Sequence, residues 1–189
     1  MIRIAPMTED YLHTLWKIGH REAAPRWKEF AAPYFDDYQA CATFEDFQAL
    51  ELYQWLQKDC VRAILVDQLP IGFVSYYWEC QPTRWLEIGI EIYDDKVWGK
   101  GYGTAALQLW IDTIFQQFTE LEHIGLTTWS GNKGMMRTAE KLGMTKEAHI
   151  RKVRYWQGHY HDSIKYGILR EEWVENHDHP SNGWFEQGL

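Results

Sequence analysis

The stretch with the clearest chemical potential is rich in glycine and covers residues 97–104, which read V-W-G-K-G-Y-G-T. Glycines at alternate positions let backbone N–H groups approach an anion without obstruction by a Cβ atom. A strand pattern precedes the stretch and an amphipathic helical pattern follows it, so the helix N-terminus would add its positive dipole. This combination predicts a cradle for a pyrophosphate group.

Two common nucleotide-binding patterns fit this stretch poorly. A Walker loop needs G-K-[ST] after four intervening residues, and residues 97–104 do not supply it. A dinucleotide fingerprint reads G-x-G-x-x-G close to the first strand of a chain, whereas this stretch reads G-x-G-x-G and follows four predicted strands. A plain tight turn that binds nothing stays open as an alternative.

Two carboxylates lie on the predicted strand directly before the loop. Glu87 and Glu91 share one face of residues 87–93, because successive side chains of a strand alternate between its faces. A carboxylate beside a bound substrate is a candidate general base, acting directly or through a water molecule. A half-solvated strand gives the same alternation, so a purely structural role for both residues stays open.

Two further motifs follow along the chain. Residues 132–144 read N-K-G-M-M-R-T-A-E-K-L-G-M and predict a short helix that ends at Gly143. Lys133, Arg137 and Lys141 recur on it every four residues, as a basic stripe that faces either solvent or a phosphate group. Residues 158–162 read G-H-Y-H-D and begin the final predicted strand.

These three motifs, in this order, resemble the GNAT superfamily of N-acetyltransferases, in the branch that contains ribosomal-protein alanine and spermidine N-acetyltransferases. The glycine-rich stretch is similar to motif A, [QR]-x-x-G-x-[GA], with Trp98 as a departure at its first position. Residues 132–144 resemble motif B, and residues 158–169 resemble the closing hairpin. The resemblance implies an α/β fold with a mixed, mostly antiparallel sheet that splays around acetyl-coenzyme A, with helices on its flanks.

The resemblance also implies which residues form the site. A backbone N–H near Ile92 and Tyr93 would bond the thioester carbonyl, and basic residues would meet the phosphates. The cofactor-binding residues predicted in this way are Ile92, Tyr93, Val97, Trp98, Gly99, Lys100, Gly101, Tyr102, Gly103, Thr104, Asn132, Lys133 and Arg137. Glu87 stands where some relatives place a catalytic glutamate, and a one-residue difference in loop length keeps Glu91 open. Met135 and Ala139 stand where relatives carry a serine or tyrosine acid, so no leaving-group acid is assigned.

The order of predicted elements is one strand, two or more helices, three strands, a helix, a strand, a helix and two strands. With 189 residues, this order suits one domain over residues 1–173, followed by a polar tail over residues 174–189. Four aromatic residues of the N-terminal segment would line an acceptor pocket or pack as a helix core: Trp27, Phe30, Tyr34 and Phe35.

The composition narrows the classes of partner. A net charge of −8 and the absence of a basic face argue against nucleic acid and favour a cationic acceptor, such as a polyamine, another small amine or a protein N-terminus. No signal peptide or membrane span is recognisable, and the three cysteines are isolated, so we expect a cytoplasmic protein with reduced thiols. His159, His161 and Asp162 lack a fourth ligand, so no metal is predicted.

The sequence therefore predicts transfer of acetyl from acetyl-CoA to a primary amine through direct attack in a ternary complex. A non-catalytic acyl-CoA-binding or regulatory module is the alternative, because the usual acids of motif B are missing. The oligomeric state is not readable from the sequence, and a homodimer stays open because dimers are common among the relatives.

Overall fold

The computed structural model describes residues 1–35 and 37–177. Its strands are β1 Ile2–Ala5, β2 Val61–Val66, β3 Leu69–Cys80, β4 Trp85–Ile92, β5 His123–Trp129, β6 Thr145–Trp156 and β7 His159–Leu169. Its helices are α1 Glu9–Gly19, α2 Phe44–Gln48, α3 Glu51–Leu56, α4 Tyr102–Gln117, α5 Lys133–Lys141 and α6 Arg170–His177. The order of strands and helices predicted from the sequence is confirmed.

All seven strands form one sheet, in the order β1-β2-β3-β4-β5-β7-β6. Every neighbouring pair is antiparallel except β4 and β5, which are parallel. These two strands pair at Leu86–Ile124 and Glu87–Gly125 and then diverge. The predicted mixed sheet that splays at its centre is therefore confirmed.

Helices cover both faces of the sheet. On one face, α4 buries Leu107, Trp110 and Ile114 against a cluster that includes Ile88 of β4. On the other face, α1, α2 and α3 form a second cluster with residues such as Phe73 of β3. This arrangement follows from strand alternation, which sends the isoleucines of β4 toward α4 and leaves Glu87 and Glu91 on the side of α1 to α3.

The N-terminal third is less helical than its sequence pattern predicts. Thr43 and Asp46 form the predicted capping box at the start of α2. The helix expected to continue to Leu56 is broken, because Leu50 adopts an extended conformation (φ −75°, ψ 146°) and a second helix begins after it. Between residues 21 and 35 the expected helix–loop contains a single 3-10 turn, Arg26–Glu29.

The C-terminal end of the described chain docks on the sheet through α6. The indole Nε1 of Trp173 donates to Asp112 Oδ1 at 2.7 Å, and the Arg170 guanidinium donates to backbone carbonyls at the end of α4 and beyond it. The boundary expected at residue 173 therefore falls inside this helix. Residues 178–189, including the Trp184–Phe185 pair noted in the sequence, lie outside the described residues.

The backbones of β3 and β4 approach unusually closely at Gly72. A Cβ atom at this position would lie 1.9 Å from Glu91 O and 2.8 Å from Ile92 Cα. We expect Gly72→Ala to lower the free energy of unfolding by about 3 kcal/mol, because the backbone of β4 must move to make room. Urea unfolding measures this loss. Gly134→Ala is the matched control, because its Cβ would meet its nearest atom, Asn132 Oδ1, at 3.6 Å, and a comparable loss in that variant would contradict the explanation.

Candidate active site

The glycine-rich loop leads into the N-terminus of α4. Gly99 (φ 73°) and Gly101 (φ 84°) adopt left-handed conformations that disfavour other residues. Gly101 is the N-cap of the 16-residue α4, whose first turn carries no acidic side chain. The first backbone N–H groups of a helix have no intrahelical partner, so those of Tyr102, Gly103 and Thr104 are available to an anion. These features fit a pyrophosphate.

Trp98, the departure from motif A, anchors the glycine-rich loop to β4 and to the N-terminal segment. Its indole Nε1 donates to Ile92 O at 3.0 Å, and its ring packs edge-on against Phe30. The Arg26 guanidinium lies 5.5 Å from the centre of the indole ring and forms an ion pair with Asp95 at 2.9 Å. Tryptophan at this position therefore positions the loop through its side chain, while the glycine backbone stays available to a ligand.

The strand β4 presents part of its backbone to the gap that opens toward β5. Tyr93 N donates to Ile71 O at 2.9 Å, on the β3 side. Because N–H groups alternate along an antiparallel strand, those of Ile90 and Ile92 point to the opposite side, into the gap. The N–H of Ile92 therefore faces the gap, and its role toward the thioester carbonyl stays a prediction. Tyr93 is not brought to the gap, since its amide is occupied and its side chain, 4% exposed, packs in the core of α1 to α3.

The predicted residues of α5 divide into two groups. Asn132 caps the helix by accepting from Met135 N at 3.0 Å, and its Nδ2 donates to Phe30 O at 3.2 Å. Its side chain therefore holds structure together. Lys133 and Arg137 are exposed, as is Lys100 in the glycine-rich loop, so all three are free to meet a phosphate at the surface.

A cleft of about 640 Å³ lies on the face of the sheet opposite α4. Its floor is built from β4 and β5, including Glu91, and its cover is the segment of residues 26–35, named here the strap. The strap is tied to both halves of the split sheet. Phe30 O accepts from Trp129 Nε1 at 2.9 Å as well as from Asn132, and Arg26 reaches Asp95 beside the glycine-rich loop.

Glu91 lies in this cleft with few compensating partners. Burial raises the pKa of Glu91 to about 7, with Lys28 lowering it and Asp37 raising it further. A carboxyl group with a pKa near neutrality suits a general base, because it is ionised enough to accept a proton and basic enough to hold it. The environment of Glu91 is therefore that expected of a base.

Glu87 has a different environment at the point where β4 and β5 last pair. It is 2% exposed, and its carboxylate accepts from Tyr77 Oη at 2.8 Å, Thr127 Oγ1 at 2.5 Å and Lys165 Nζ at 2.7 Å. These three donors engage both carboxylate oxygens and fix them between β4, β5 and β7. Its contacts favour a structural role at the base of the gap.

His20 belongs to the site although no sequence pattern singled it out. It is 2% exposed, lines the cleft, and its Nε2 lies 3.1 Å from Tyr93 Oη. Burial lowers the pKa of His20 to about 4, so the ring is neutral at physiological pH. It therefore adds a polar group to the cleft without adding a positive charge.

The residues of the closing motif support the fold. Asp162 accepts from Lys152 N at 2.8 Å and from His149 Nε2 at 2.6 Å, where β6 bulges away from β7. Across the described ranges 1–35 and 37–177, no group of three or more His, Cys, Asp and Glu side chains could hold a metal ion. In the same part of the chain, no helix has the length and apolar character needed to cross a membrane.

The split sheet, the glycine-rich loop and the cleft fit the class of acyl-CoA-dependent transferases. The sequence pattern described as "Acetyltransferase (GNAT) domain" matches residues 2–145. The chain therefore belongs to the GNAT acetyltransferase family, as its three motifs predicted. Members of this family use acetyl-CoA.

Known relatives and structures agree with this assignment. The chain is similar to the uncharacterized N-acetyltransferase YokL of a Bacillus subtilis prophage, with 33% identity over 79 residues, 42% of this chain and 44% of the relative. It is also similar to YdaF of Bacillus subtilis, whose name proposes a ribosomal N-acetyltransferase, with 31% identity over 110 residues, 58% of this chain and 59% of the relative. The alignments thus span about half the length of these relatives.

Solved structures extend the likeness to the whole fold. A spermidine N-acetyltransferase from Vibrio cholerae, in complex with CoA and spermine, has a TM-score of 0.70 at 18% identity, over 92% of this chain and 98% of that one. A GNAT-family acetyltransferase from Bacillus anthracis has a TM-score of 0.70 at 19% identity, over 90% and 96% of the two chains. These structures confirm the predicted fold.

The left-handed glycine at the start of α4 allows a direct test of the phosphate cradle. We expect Gly101→Ala to weaken CoA binding at least about tenfold, because the added Cβ strains the backbone where N–H groups must face the pyrophosphate. Isothermal titration with CoA measures this effect. Gly158→Ala is the matched control, because Gly158 has a similar φ of 79° and the same open surroundings but lies in the β6–β7 turn. Equal effects of the two variants on CoA affinity would contradict the assignment.

Proposed function

We propose that this protein transfers the acetyl group of acetyl-CoA to a primary amine by direct attack in a ternary complex. The observation that carries the proposal is the gap between β4 and β5, which opens beyond Glu87 and Gly125. The cleft reaches this gap at Ile90 and Glu91 of β4, and Trp98 ties the glycine-rich loop to Ile92 O at the end of the same strand. A thioester lying in the gap would therefore meet an amine that enters from the cleft.

The cofactor side of the proposal rests on backbone groups and surface cations. The N-terminal amides of α4, with Gly99 and Gly101, would bind the pyrophosphate. Lys100, Lys133 and Arg137 are exposed candidates for the remaining phosphate. The N–H groups of Ile90 and Ile92 would bond the thioester oxygen and stabilise the negative charge that develops on it during attack.

Glu91 supplies the proton chemistry in this proposal. Acetyl-CoA provides the thioester carbonyl, and the amine nitrogen forms a bond to its carbon while the carbon–sulfur bond breaks. Glu91 accepts the proton that the amine must lose, directly or through water. The thiolate takes a proton from solvent, since Met135 and Ala139 offer no acid on α5. Holding both substrates in one cleft accounts for much of the expected rate.

Release of CoA thiol from acetyl-CoA, followed with and without a panel of primary amines, tests this function. We expect amine-dependent release together with an acetylated product of matching mass. Tight CoA binding without release for any amine would instead support the alternative, a non-catalytic acyl-CoA-binding module, which the absence of an acid at Met135 and Ala139 favours.

The acceptor is the open part of the function. The names of the relatives suggest two acceptor classes, a ribosomal protein and a polyamine. The expectation of a cytoplasmic location stays a prediction, and a homodimer stays open.

A further inference from the structure

We infer that the acceptor carries one amine on an apolar body about the size of an aromatic ring. This inference rests on the acetyltransferase function proposed above and specifies its substrate. It excludes a polyamine and a protein N-terminus as the preferred acceptors. The cleft walls, the charges beside Glu91 and the closure by the strap each support it.

The walls of the cleft are aromatic on both sides of β4. Trp55 of α3 packs edge-on against Phe73 of β3, with ring centres 5.6 Å apart. Tyr34 of the strap packs edge-on against Trp129 of β5, at 5.9 Å. Because β3 and β5 flank β4 in the sheet, the two ring pairs stand on either side of Glu91. Rings in this arrangement bury an apolar group and also attract an ammonium group.

The charges in the cleft fit a single ammonium group. Lys28, whose side chain is 18% exposed, forms an ion pair with Asp37, so the charge of Asp37 is compensated. Glu51 lies at the exposed rim, which leaves Glu91 as the acidic group on the floor, with Lys28 and a hydrogen bond to Tyr93 stabilising its charge. Because Lys28 and Asp37 offset one another, a second ammonium group near Glu91 would find no second unpaired carboxylate among the described residues of the floor, which gives a polyamine no advantage there.

The strap disfavours an extended peptide. It is anchored to β5 and α5 through Phe30 O and to the glycine-rich loop through Arg26, so it covers the cleft from one half of the sheet to the other. A peptide brings backbone N–H and C=O groups into the cleft, and each costs free energy if it is buried without a partner. A peptide backbone that lay along the rings of Trp55, Phe73 and Tyr34 would find no such partner in them, although polar residues such as Ser75 and Thr128 line other parts of the cleft.

An acceptor comparison tests the inference on the full chain. The acceptors are 2-phenylethylamine, spermidine and a tetrapeptide with a free N-terminal alanine, with saturating acetyl-CoA at pH 8.5, where Glu91 is ionised. We expect kcat/KM for 2-phenylethylamine to exceed the other two values at least about tenfold, because its ring is buried against the aromatic walls.

Two variants test separately how the aromatic wall and the charge of Lys28 contribute to acceptor preference. Trp55→Ala should raise KM for 2-phenylethylamine about tenfold and leave KM for acetyl-CoA unchanged. Tyr34→Ala serves the same purpose if loss of Trp55 impairs folding. Lys28→Gln should increase kcat/KM for spermidine about tenfold more than for 2-phenylethylamine, because Asp37 then becomes a second unpaired carboxylate for the further ammonium groups of spermidine. Tyr160→Ala, on the 64% exposed ring of β7, is the control that should change neither acceptor.

Each outcome decides one of the two proposals. Spermidine or the peptide as the best acceptor would overturn this inference and leave the acetyltransferase function in place. If none of the acceptors supports thiol release, although calorimetry shows that the protein binds CoA, both the proposed function and this inference would be overturned. Equal effects of Trp55→Ala on all three acceptors would show that the wall does not recognise an apolar body and would also overturn the inference.

Discussion

Replacing Glu91 by glutamine is expected to lower kcat/KM for the amine about a thousandfold, with little change in CoA affinity. The amide keeps the size and polarity of the side chain but cannot accept a proton, and loss of a positioned base costs this order of magnitude. Steady-state kinetics at several pH values, together with titration of CoA, measure both effects. Unchanged kcat/KM in Glu91→Gln at every pH would rule out Glu91 as the base.

The pH dependence of the unmodified protein should report the same group. Burial raises the pKa of Glu91 to about 7, and the base is active when deprotonated. The kcat/KM value should therefore rise with pH up to about 7 and fall about tenfold for each pH unit below it. In Glu91→Gln the remaining activity should lack this limb.

Stability provides an independent check on Glu91. Its folded-state pKa is raised above the ordinary value of 4.5, so folding disfavours the ionised form, and stability is lost as pH rises from about 4.5 to about 7. Glu91→Gln removes this cost. We therefore expect a higher Tm for the variant than for the unmodified protein at pH 8, and a smaller difference at pH 4.

Replacing Glu87 should act on stability with the opposite sign. Glu87→Gln leaves Lys165 with only the more distant Glu79, at 3.9 Å, as a carboxylate partner, and we expect the free energy of unfolding to fall by about 3 kcal/mol. Adding Lys165→Met should restore much of this loss, because the uncompensated charge is removed as well. Urea unfolding of the single and double variants measures the coupling between the two residues.

The two glutamates can thus be assigned by comparing their variants. A stable Glu87→Gln protein with a thousandfold loss of kcat/KM would reverse the roles and make Glu87 the base. We expect instead that Glu87→Gln raises KM for acetyl-CoA, because Glu87 connects β4 to Thr127 of β5 and to Lys165 at the base of the gap.

The parts of the site that could be predicted from the sequence depend on local pattern. The glycine spacing at residues 99–103 can be recognised from adjacent residues, without knowledge of contacts elsewhere in the chain. The structure places these glycines at the start of α4, as predicted. The alternation along β4 correctly placed Glu87 and Glu91 on one face. It could not separate their roles, because the partner that distinguishes Glu87 is Lys165, 78 residues further along the chain.

Two other features were beyond local pattern for related reasons. The expected contribution of Tyr93 to the gap failed because its N–H points to β3, which depends on the pairing register of a neighbouring strand. The strap was predicted as either a pocket wall or a helix core. Its position over the cleft depends on Trp129 and Asn132, each about a hundred residues away, and residues 21–35 carry no periodicity that encodes this contact.

The anchoring of the strap allows the acceptor specificity of the protein to change independently of the geometry that would hold acetyl-CoA. The two hydrogen bonds from Trp129 and Asn132 end on a backbone oxygen, Phe30 O, so this part of the anchor does not depend on which side chain occupies position 30. Strap side chains outside these contacts, such as Tyr34, can therefore be exchanged while β4 and the glycine-rich loop keep their geometry, whereas Arg26 is held by Asp95 and Trp27 is buried in the core. Descendants or designed variants of this chain could acquire new acceptors through residues 26–35 alone, with the acetyl-transfer machinery inherited intact.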